Sequence, residues 1–208
     1  MPDTRLFYVH DPMCSWCYAF SASLAALQQD LPSNIQMIYL LGGLAADTTE
    51  PMPVNLQNTI QQAWHRIENT VPSIRFNYDF WKFNTPLRST YPACRALLAS
   101  RKQGAEFEFK LLQAIQNAYY QKARNPSLQV TLQECAAETG LDTVEFIKDL
   151  NSLAIDNELQ GEIQLARSMG VASYPSLRLL HHEEQIAVTI DYLNHRTMID
   201  QIIGILLK

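Results

Sequence analysis

The chain has 208 residues, of which 47% are hydrophobic and 18% charged, a composition typical of a folded globular protein rather than a disordered one. Its net charge of −5 and the lack of a polybasic segment argue against nucleic acid and against a membrane surface as partners. The sequence contains no run of about 18 apolar residues, and residues 1–5 lack the pattern of a signal peptide. We therefore predict a cytoplasmic protein.

The first part of the chain predicts a strand, a helix and a second strand. Residues 6–10 are apolar and are followed by a helical pattern over residues 14–30, which ends before Pro32. Residues 35–41 are apolar and partly β-branched, which is typical of a buried parallel strand. Gly42 and Gly43 then end this strand.

The middle of the chain, residues 46–168, has almost no strand pattern and predicts a series of helices. Start and stop signals include a proline in a first turn, a capping box at Thr131 and an N-cap at Asp142. The predicted helices cover residues 53–70, the stretch from Tyr91, residues 107–119, the stretch from Thr131 to Gly140, the stretch from Asp142 to Leu150, and residues 158–169.

Strand character returns only at the end of the chain. Residues 176–180 and 185–190, with a turn at residues 181–184, predict a hairpin, and Asn194 predicts the N-cap of a final helix. If both ends of the chain share one sheet, the protein is α/β with a large helical insertion. We predict one discontinuous domain of residues 1–45 and 169–208, and an inserted helical domain of residues 46–168.

The segment Cys14-Ser15-Trp16-Cys17 follows the first predicted strand and opens the first predicted helix. A strand, a C-x-x-C motif and a helix in this order are typical of a thioredoxin-like redox site. A cysteine at a helix N-terminus lies where unpaired N–H groups stabilise the thiolate that attacks disulfides. We expect Cys14 to be exposed and Cys17 to lie one turn inside.

Two other interpretations of this cysteine pair are a structural role and half of a zinc site. A structural zinc site needs four ligands, yet Cys94 and Cys135 stand alone in the sequence. The adjacent His181 and His182 would point to opposite faces of a strand. We therefore predict a redox-active dithiol, and we expect no metal and no other cofactor.

Tyr174-Pro175 stands at the head of the late hairpin. A proline that opens a strand usually indicates only an edge or a bend. Together with a C-x-x-C helix near the N-terminus, however, this position predicts a cis peptide bond at Tyr174-Pro175.

Three segments are informative together: residues 11–18 (DPMCSWCY), residues 84–94 (NTPLRSTYPAC) and residues 170–176 (GVASYPS). They resemble the active-site segment, a segment of the inserted domain and the cis-proline loop of the DsbA-like branch of the thioredoxin superfamily. The resemblance is to the cytosolic members described as predicted protein-disulfide isomerases. It implies a thioredoxin fold with a helical insertion.

The resemblance also implies roles for the site residues. It makes Cys14 the attacking cysteine and Cys17 the resolving one. It places a loop of Ser173, Tyr174 and Pro175 opposite them, where the backbone holds an extended substrate segment. By the same resemblance, Ser173, Tyr174, Pro175 and Trp16 are candidate substrate-binding residues.

Other residues near these motifs allow two interpretations each. His10 and Asp11 flank the cysteines and either tune Cys14 or cap the strand and its loop. Cys94 and Cys135 lie in helical patterns and are expected to be small buried side chains, with a third redox role as the alternative for Cys94. Aromatic residues in the middle of the chain predict a core cluster, with a substrate-facing patch as the alternative: Trp64, Phe76, Phe80, Trp81 and Phe83.

We predict a thiol–disulfide oxidoreductase or isomerase that exchanges disulfides through a mixed-disulfide intermediate. Its expected partners are a protein or small-thiol disulfide substrate and a cytosolic thiol reductant, either glutathione or a thioredoxin-like protein. Three alternatives remain: a glutathione-dependent isomerase or transferase of the same fold, a non-catalytic peptide-binding module, and a cluster-binding dimer that uses Cys14.

Overall fold

The computed structural model describes residues 4–182 and 184–207. Residues 1–3 and Lys208, at the ends of the predicted discontinuous domain, lie outside the described residues, and so does Glu183 in the predicted turn. The described part contains a sheet of four strands in the order β2-β1-β3-β4. The strands are β1 (Thr4–His10), β2 (Gln36–Leu41), β3 (Ser176–His181) and β4 (Glu184–Val188).

Strands from the two ends of the chain pair directly with each other. Strand β1 pairs in parallel with β2, with Val9 opposite Leu40, and antiparallel with β3, with Val9 opposite Ser176. Strands β3 and β4 form the predicted antiparallel hairpin. The α/β fold class, a thioredoxin-like fold with a large helical segment between β2 and β3, is therefore confirmed.

Nine helices lie in the described residues, and seven of them fall between β2 and β3. They are α1 (Ser15–Asp30), α2 (Val54–Thr70), α3 (Phe80–Phe83), α4 (Tyr91–Arg101), α5 (Ala105–Tyr120), α6 (Gln129–Glu138), α7 (Thr143–Leu150), α8 (Leu153–Ser168) and α9 (His195–Leu206). None of them is long and apolar enough to cross a membrane.

The alternation of side chains along β1 divides the core between the two faces of the sheet. Helices α1 and α9 cover one face, where the buried side chains include Leu6, Tyr8, Phe20, Leu27, Met198 and Ile202. The end of α8 and the loop after it cover the other face, where they include Phe7, Val9, Leu40, Ala166, Met169 and Val171. The sheet is thus packed on both sides. The cysteine motif follows the end of β1, the strand whose side chains lie in both cores.

The helices between β2 and β3 surround a second core, which is rich in aromatic side chains. Trp64, Phe76 and Phe80 are buried there and Trp81 packs against them, as predicted. The prediction for Phe83 is wrong, because its side chain is 79% exposed. Phe83 is the last residue of the four-residue helix α3, where the chain leaves the helix at Asn84.

Two predicted N-caps and one predicted helix end are confirmed. The side chain of Asp142 accepts hydrogen bonds from the N–H groups of Val144 and Glu145, and that of Asn194 accepts one from Arg196. Gly170 follows α8 with a φ of +67°, a conformation that glycine adopts without strain.

Other predicted boundaries differ from the structure. Helix α6 begins at Gln129 and buries Thr131 inside it, so Thr131 is not an N-cap; its N–H donates to the carbonyl of Leu128. Helix α8 begins at Leu153 because the side chain of Ser152 caps it. Strand β4 ends at Val188, two residues early.

Strand β2 is also not the buried strand that the sequence predicts. Among the strands of the described residues it pairs with β1 alone, at the edge of the sheet, and its first four residues are exposed or half-buried. Near its end the N–H of Leu41 donates to Glu162 of α8 at 2.7 Å. The same glutamate accepts a 2.8 Å bond from Arg101 of α4, so this ion pair joins the sheet edge to the helices.

Candidate active site

Cys14 is the N-cap residue of α1, with an extended backbone (φ −79°, ψ 114°). The residue therefore stands at the helix end where the first N–H groups are unpaired, and its side chain makes no capping hydrogen bond to them. The Cys14 thiol donates a 3.5 Å hydrogen bond to the carbonyl oxygen of Tyr174. The expectation that Cys14 is exposed is wrong, because only 7% of the residue is accessible; the loop that carries Tyr174 lies against it.

Cys17 lies one helical turn further along α1 and is 2% exposed. Burial raises the pKa of the Cys17 thiol well above its usual value, and the neighbouring Cys14 raises it further. Both cysteines are free thiols, so the structure represents the dithiol form. The arrangement therefore has one thiol at the helix terminus and a protonated partner thiol behind it.

The loop before β3 brings the late part of the chain to the cysteines. The Tyr174–Pro175 peptide bond is cis, Pro175 is buried and Tyr174 is half-buried. The Tyr174 hydroxyl donates a 2.6 Å bond to the carbonyl of Gly42 at the end of β2. Ser173 is exposed, and its carbonyl accepts a 2.7 Å bond from the hydroxyl of Ser176.

Trp16 lies between the two cysteines in sequence and is half-buried. Its ring contacts that of Tyr192 with the ring centres 5.0 Å apart, and Tyr192 in turn meets Phe20 edge-on. Sequence reasoning did not identify Tyr192, because it lies in an irregular segment between β4 and α9. One side of Trp16 is thus fixed by packing, while part of its surface is accessible.

Asp11 is fully buried at the start of the loop that leads to Cys14. Its carboxylate accepts hydrogen bonds from the N–H groups of Met13 (2.8 Å) and Leu44 (2.7 Å) and from the hydroxyl of Thr90 (2.6 Å). The thiol of Cys94 donates to it at 3.5 Å. Burial raises the pKa of the carboxyl group, while these donors oppose the rise.

Thr90 and Cys94 lie in the segment of residues 84–94 that the sequence singled out by resemblance. Nothing in the local pattern assigns Thr90 to the site, since its partner Asp11 is 79 positions away. Cys94 and Cys135 are both buried, as expected for small core side chains. Burial raises the pKa of Cys135 to about 11.

His10, at the end of β1, is 1% exposed and stacks on Tyr8 with ring centres 4.9 Å apart. Its ring meets Tyr39 edge-on. Burial and the positive charge of Arg101 lower the pKa of His10 to about 3, so the ring is neutral at physiological pH. Neither ring nitrogen has a hydrogen-bond partner among the described residues.

The described part of the chain was also searched for groups of side chains that could bind a metal ion. No group of three or more His, Cys, Asp or Glu side chains there could hold an ion.

A family model described as thioredoxin matches residues 7–201 of the chain. The chain belongs to the thioredoxin family. Within this family its fold is of the DsbA-like kind. A proposed protein disulfide isomerase from Nitrosomonas europaea has a TM-score of 0.84 and 22% identity, over 98% of both chains. The cytosolic disulfide reductase DsbM of Pseudomonas aeruginosa has a TM-score of 0.76 and 21% identity, over 98% of this chain and 100% of that one.

Curated relatives of this family member include the ClpXP adapter protein SpxH. The protein of Halalkalibacterium halodurans is 24% identical over 192 residues, and that of Bacillus subtilis is 26% identical over 192 residues. These matches cover 89% and 90% of this chain but 62% and 63% of the two relatives. The chain therefore spans less than two thirds of the length of these adapters.

Proposed function

We propose that this thioredoxin-family protein is a thiol–disulfide oxidoreductase that works through Cys14 and Cys17. The observation that carries the proposal is the contact between the Cys14 thiol and the Tyr174 carbonyl. It joins the N-terminus of α1, where a thiolate is stabilised, to a loop whose backbone is available for a substrate segment. The family membership and the fold support the same activity.

The reaction proceeds in two exchanges. The Cys14 thiolate attacks one sulfur of a substrate disulfide, the substrate S–S bond breaks, and the released substrate thiolate takes a proton. A mixed disulfide then joins Cys14 to the substrate. Cys17 loses its proton and attacks the Cys14 sulfur, which releases the second substrate thiol and leaves a Cys14–Cys17 disulfide. The substrate gains two electrons. Two molecules of glutathione, which become glutathione disulfide, or the dithiol of one thioredoxin-like protein return two electrons and restore the Cys14–Cys17 dithiol.

The burial of Cys17 gives the two cysteines different roles. A thiol with a raised pKa stays protonated and does not attack until the mixed disulfide has formed beside it. The substrate segment would lie along Ser173, Tyr174 and Pro175, with the accessible side of Trp16 as a further contact. A flanking extended chain bound there would use main-chain hydrogen bonds and would leave its side chains largely unselected.

We further propose that the protein works in the cytosol, which is supported by its likeness to the cytosolic reductase DsbM. Residues 1–45 and 169–208 would form the thioredoxin unit, and residues 46–168 the inserted unit. The bond between Thr90 and Asp11 would then tie the inserted unit to the loop before Cys14.

The direct test uses reduction of a model disulfide, with glutathione as the recycling thiol. Cys14→Ser should abolish turnover, and Cys17→Ser should accumulate a mixed disulfide on Cys14 that mass spectrometry detects. The matched control is Cys135→Ala, because Cys135 is also buried but lies in α6, away from the pair. Unchanged turnover in Cys14→Ser would contradict the proposal.

A second candidate function is that of a protease adapter, favoured by the matches to SpxH over 89% and 90% of this chain. An adapter needs a binding surface and not a reacting dithiol. Direct binding of the purified chain to ClpXP, retained in a Cys14→Ser/Cys17→Ser double variant, would support this candidate. Loss of turnover in the single variants together with no binding to ClpXP would support the oxidoreductase function and contradict the adapter function.

A further inference from the structure

The carboxylate of Glu162 in α8 bonds to two different parts of the fold, and its side chain is only 12% exposed. Its Oε2 accepts a 2.7 Å bond from the N–H of Leu41, the last residue of β2. Its Oε1 accepts a 2.8 Å bond from Arg101 of α4, which also donates a 2.6 Å bond to Glu108. Both oxygens are in use, so α4 fixes the orientation of the carboxylate that holds β2.

Leu41 lies in the edge strand of the sheet, opposite His10 of β1. The N–H groups of successive residues in a strand point to opposite sides, and the next one, that of Gly42, donates a 2.7 Å bond to the carbonyl of His10. The N–H of Leu41 therefore points away from β1, to the side where an edge strand leaves its N–H groups unpaired. Glu162 supplies the acceptor that a further strand would otherwise provide.

The residue after Leu41 connects the end of β2 to the dithiol. The carbonyl of Gly42 accepts a 2.6 Å bond from the Tyr174 hydroxyl, and the carbonyl of Tyr174 accepts the 3.5 Å bond from the Cys14 thiol. Tyr174 therefore holds the end of β2 with its side chain and the thiol with its main chain. A shift at the end of β2 would move the carbonyl that faces the reacting sulfur.

A second contact of α8 falls on the same end of β2. Ile163, the neighbour of Glu162, lies so close to Gly43 that a Cβ on this glycine would be 2.4 Å from Cδ1 of Ile163. The next N–H, that of Leu44, donates to the buried carboxylate of Asp11. The backbone that follows β2 is thus held by α8 on one side and by Asp11 on the other.

We propose that Glu162 is a positioning residue for disulfide exchange. It holds the N–H of Leu41 and so sets the place of Gly42. Through the Tyr174 hydroxyl, it thereby sets the place of the carbonyl that faces Cys14. A carboxylate suits this role, because charged acceptors form stronger hydrogen bonds than neutral ones. The inference rests on the proposed oxidoreductase function and adds to it a residue outside the cysteine motif and the Tyr174 loop.

Glu162→Gln tests this role, because an amide has one acceptor oxygen where a carboxylate has two. Its side chain can accept from Leu41 or from Arg101, but not from both. The matched control is Glu158→Gln, one turn earlier in α8. The carboxylate of Glu158 lies 3.6 Å from the same arginine and is 38% exposed, whereas the N–H of Leu41 bonds to Glu162.

Two measurements on the reduced protein separate positioning from folding. Glu162→Gln should slow the reduction of a model disulfide about three- to tenfold, the rate equivalent of one hydrogen bond, and Glu158→Gln should leave it unchanged. Iodoacetamide should label Cys14 faster in Glu162→Gln, because the loop that covers this thiol is held less firmly. A general loss of structure would instead speed the labelling of all four cysteines, and a less reactive thiol would slow both reactions.

A double-mutant cycle tests whether Glu162 acts through Tyr174. Tyr174→Phe removes the hydroxyl that bonds to the Gly42 carbonyl and should itself slow exchange. If both residues belong to one series of contacts, Glu162→Gln should slow the Tyr174→Phe protein far less than it slows the parent. Independent effects would multiply in the double variant, and that result would overturn the proposal.

Urea unfolding establishes that each variant is folded before it is assayed. Glu162→Asp, which keeps the charge and both oxygens but is shorter, replaces Glu162→Gln if the latter does not fold. Unchanged exchange in the folded variant beside an active parent protein would contradict the positioning role, and unfolding of both variants would assign Glu162 a structural role only. No turnover in the parent protein would instead contradict the oxidoreductase function itself.

Discussion

The hydroxyl of Thr90 donates a hydrogen bond of 2.6 Å to the carboxylate of Asp11, although 79 positions separate the two residues. The Thr90 oxygen also accepts a 3.0 Å bond from the N–H of Ala45, just after β2. Helix α4, which begins at the next residue, is thereby joined to the loop that precedes Cys14. The geometry of the cysteine motif thus depends on the helices between β2 and β3.

Thr90→Val should destabilise the protein by about 2 kcal/mol, because it leaves a buried carboxylate without one of its donors. Urea unfolding at neutral pH measures the effect. The matched control is Thr59→Val in α2, whose exposed hydroxyl bonds only to its own helix, and it should change stability by less than about 0.5 kcal/mol. Equal effects of the two substitutions would contradict this role of Thr90.

Gly42→Ala should displace the ring of Tyr174. A Cβ at this position would lie 2.0 Å from Cε1 of Tyr174, a ring that the bond to the Gly42 carbonyl holds in place. We expect a loss of about 1–3 kcal/mol in unfolding free energy and slower disulfide exchange, because the displaced residue also carries the acceptor for Cys14.

The matched control for Gly42→Ala is Gly161→Ala, within α8. A Cβ there meets nothing within 4 Å, so alanine should stabilise the helix by about 0.5–1 kcal/mol. Thermal unfolding of both variants gives the comparison. A Gly42→Ala protein as stable and active as the parent would show that the ring moves aside freely.

His10 should make the protein less stable in acid. Its pKa is about 3 in the folded state and about 6.5 when unfolded, so the unfolded chain binds the extra proton between these values. The stability that neutral His10 contributes is complete above pH 6.5 and is lost as the pH falls towards 3. The loss amounts to about 3–5 kcal/mol over this range.

The comparison of His10→Phe with the parent protein isolates this contribution. Urea unfolding at a series of pH values from 7 to 4 should give a flatter acid dependence for the variant. His65→Gln, at a histidine whose side chain is 65% exposed, serves as the control for the removal of a histidine from the chain. Parallel curves for His10→Phe and the parent would refute the assignment.

Alkylation of the reduced protein at neutral pH should label Cys14 first. Cys14 is the most accessible of the four cysteines, and burial keeps Cys17 and Cys94 protonated. Timed reaction with iodoacetamide followed by peptide mass mapping measures the order. In urea the four cysteines should react at similar rates, and labelling of Cys17 before Cys14 in the folded protein would reverse the proposed roles.

The dithiol should be a weak oxidant, with a potential of roughly −200 mV or below. Strong oxidants of this fold owe their potential to a thiolate that is over-stabilised in the reduced form. Here the Cys14 thiol donates its hydrogen bond to a carbonyl oxygen, which has no N–H or O–H to donate to a sulfur. Equilibration with defined glutathione ratios, followed by trapping of free thiols, measures the potential; a value near that of DsbA would contradict this expectation.

The sequence alone was sufficient to predict the fold class and to single out Cys14 and Cys17 as the candidate dithiol. Both depend on local patterns: an apolar strand, a C-x-x-C motif at the start of a helix, and a late hairpin. The N-caps at Asp142 and Asn194 could also be predicted from the sequence, because a capping side chain bonds to N–H groups two or three residues away. In such interactions both partners lie within a few positions of each other in the sequence.

Only the tertiary structure decided the burial of Cys14 and His10 and the donors around Asp11. The loop that covers Cys14 comes from 160 positions away, and three of the four donors to Asp11 come from 33, 79 and 83 positions away. Local periodicity carries no information about which distant segments meet. These contacts form because α1, α4 and the loop of Ser173, Tyr174 and Pro175 pack together at one end of the sheet.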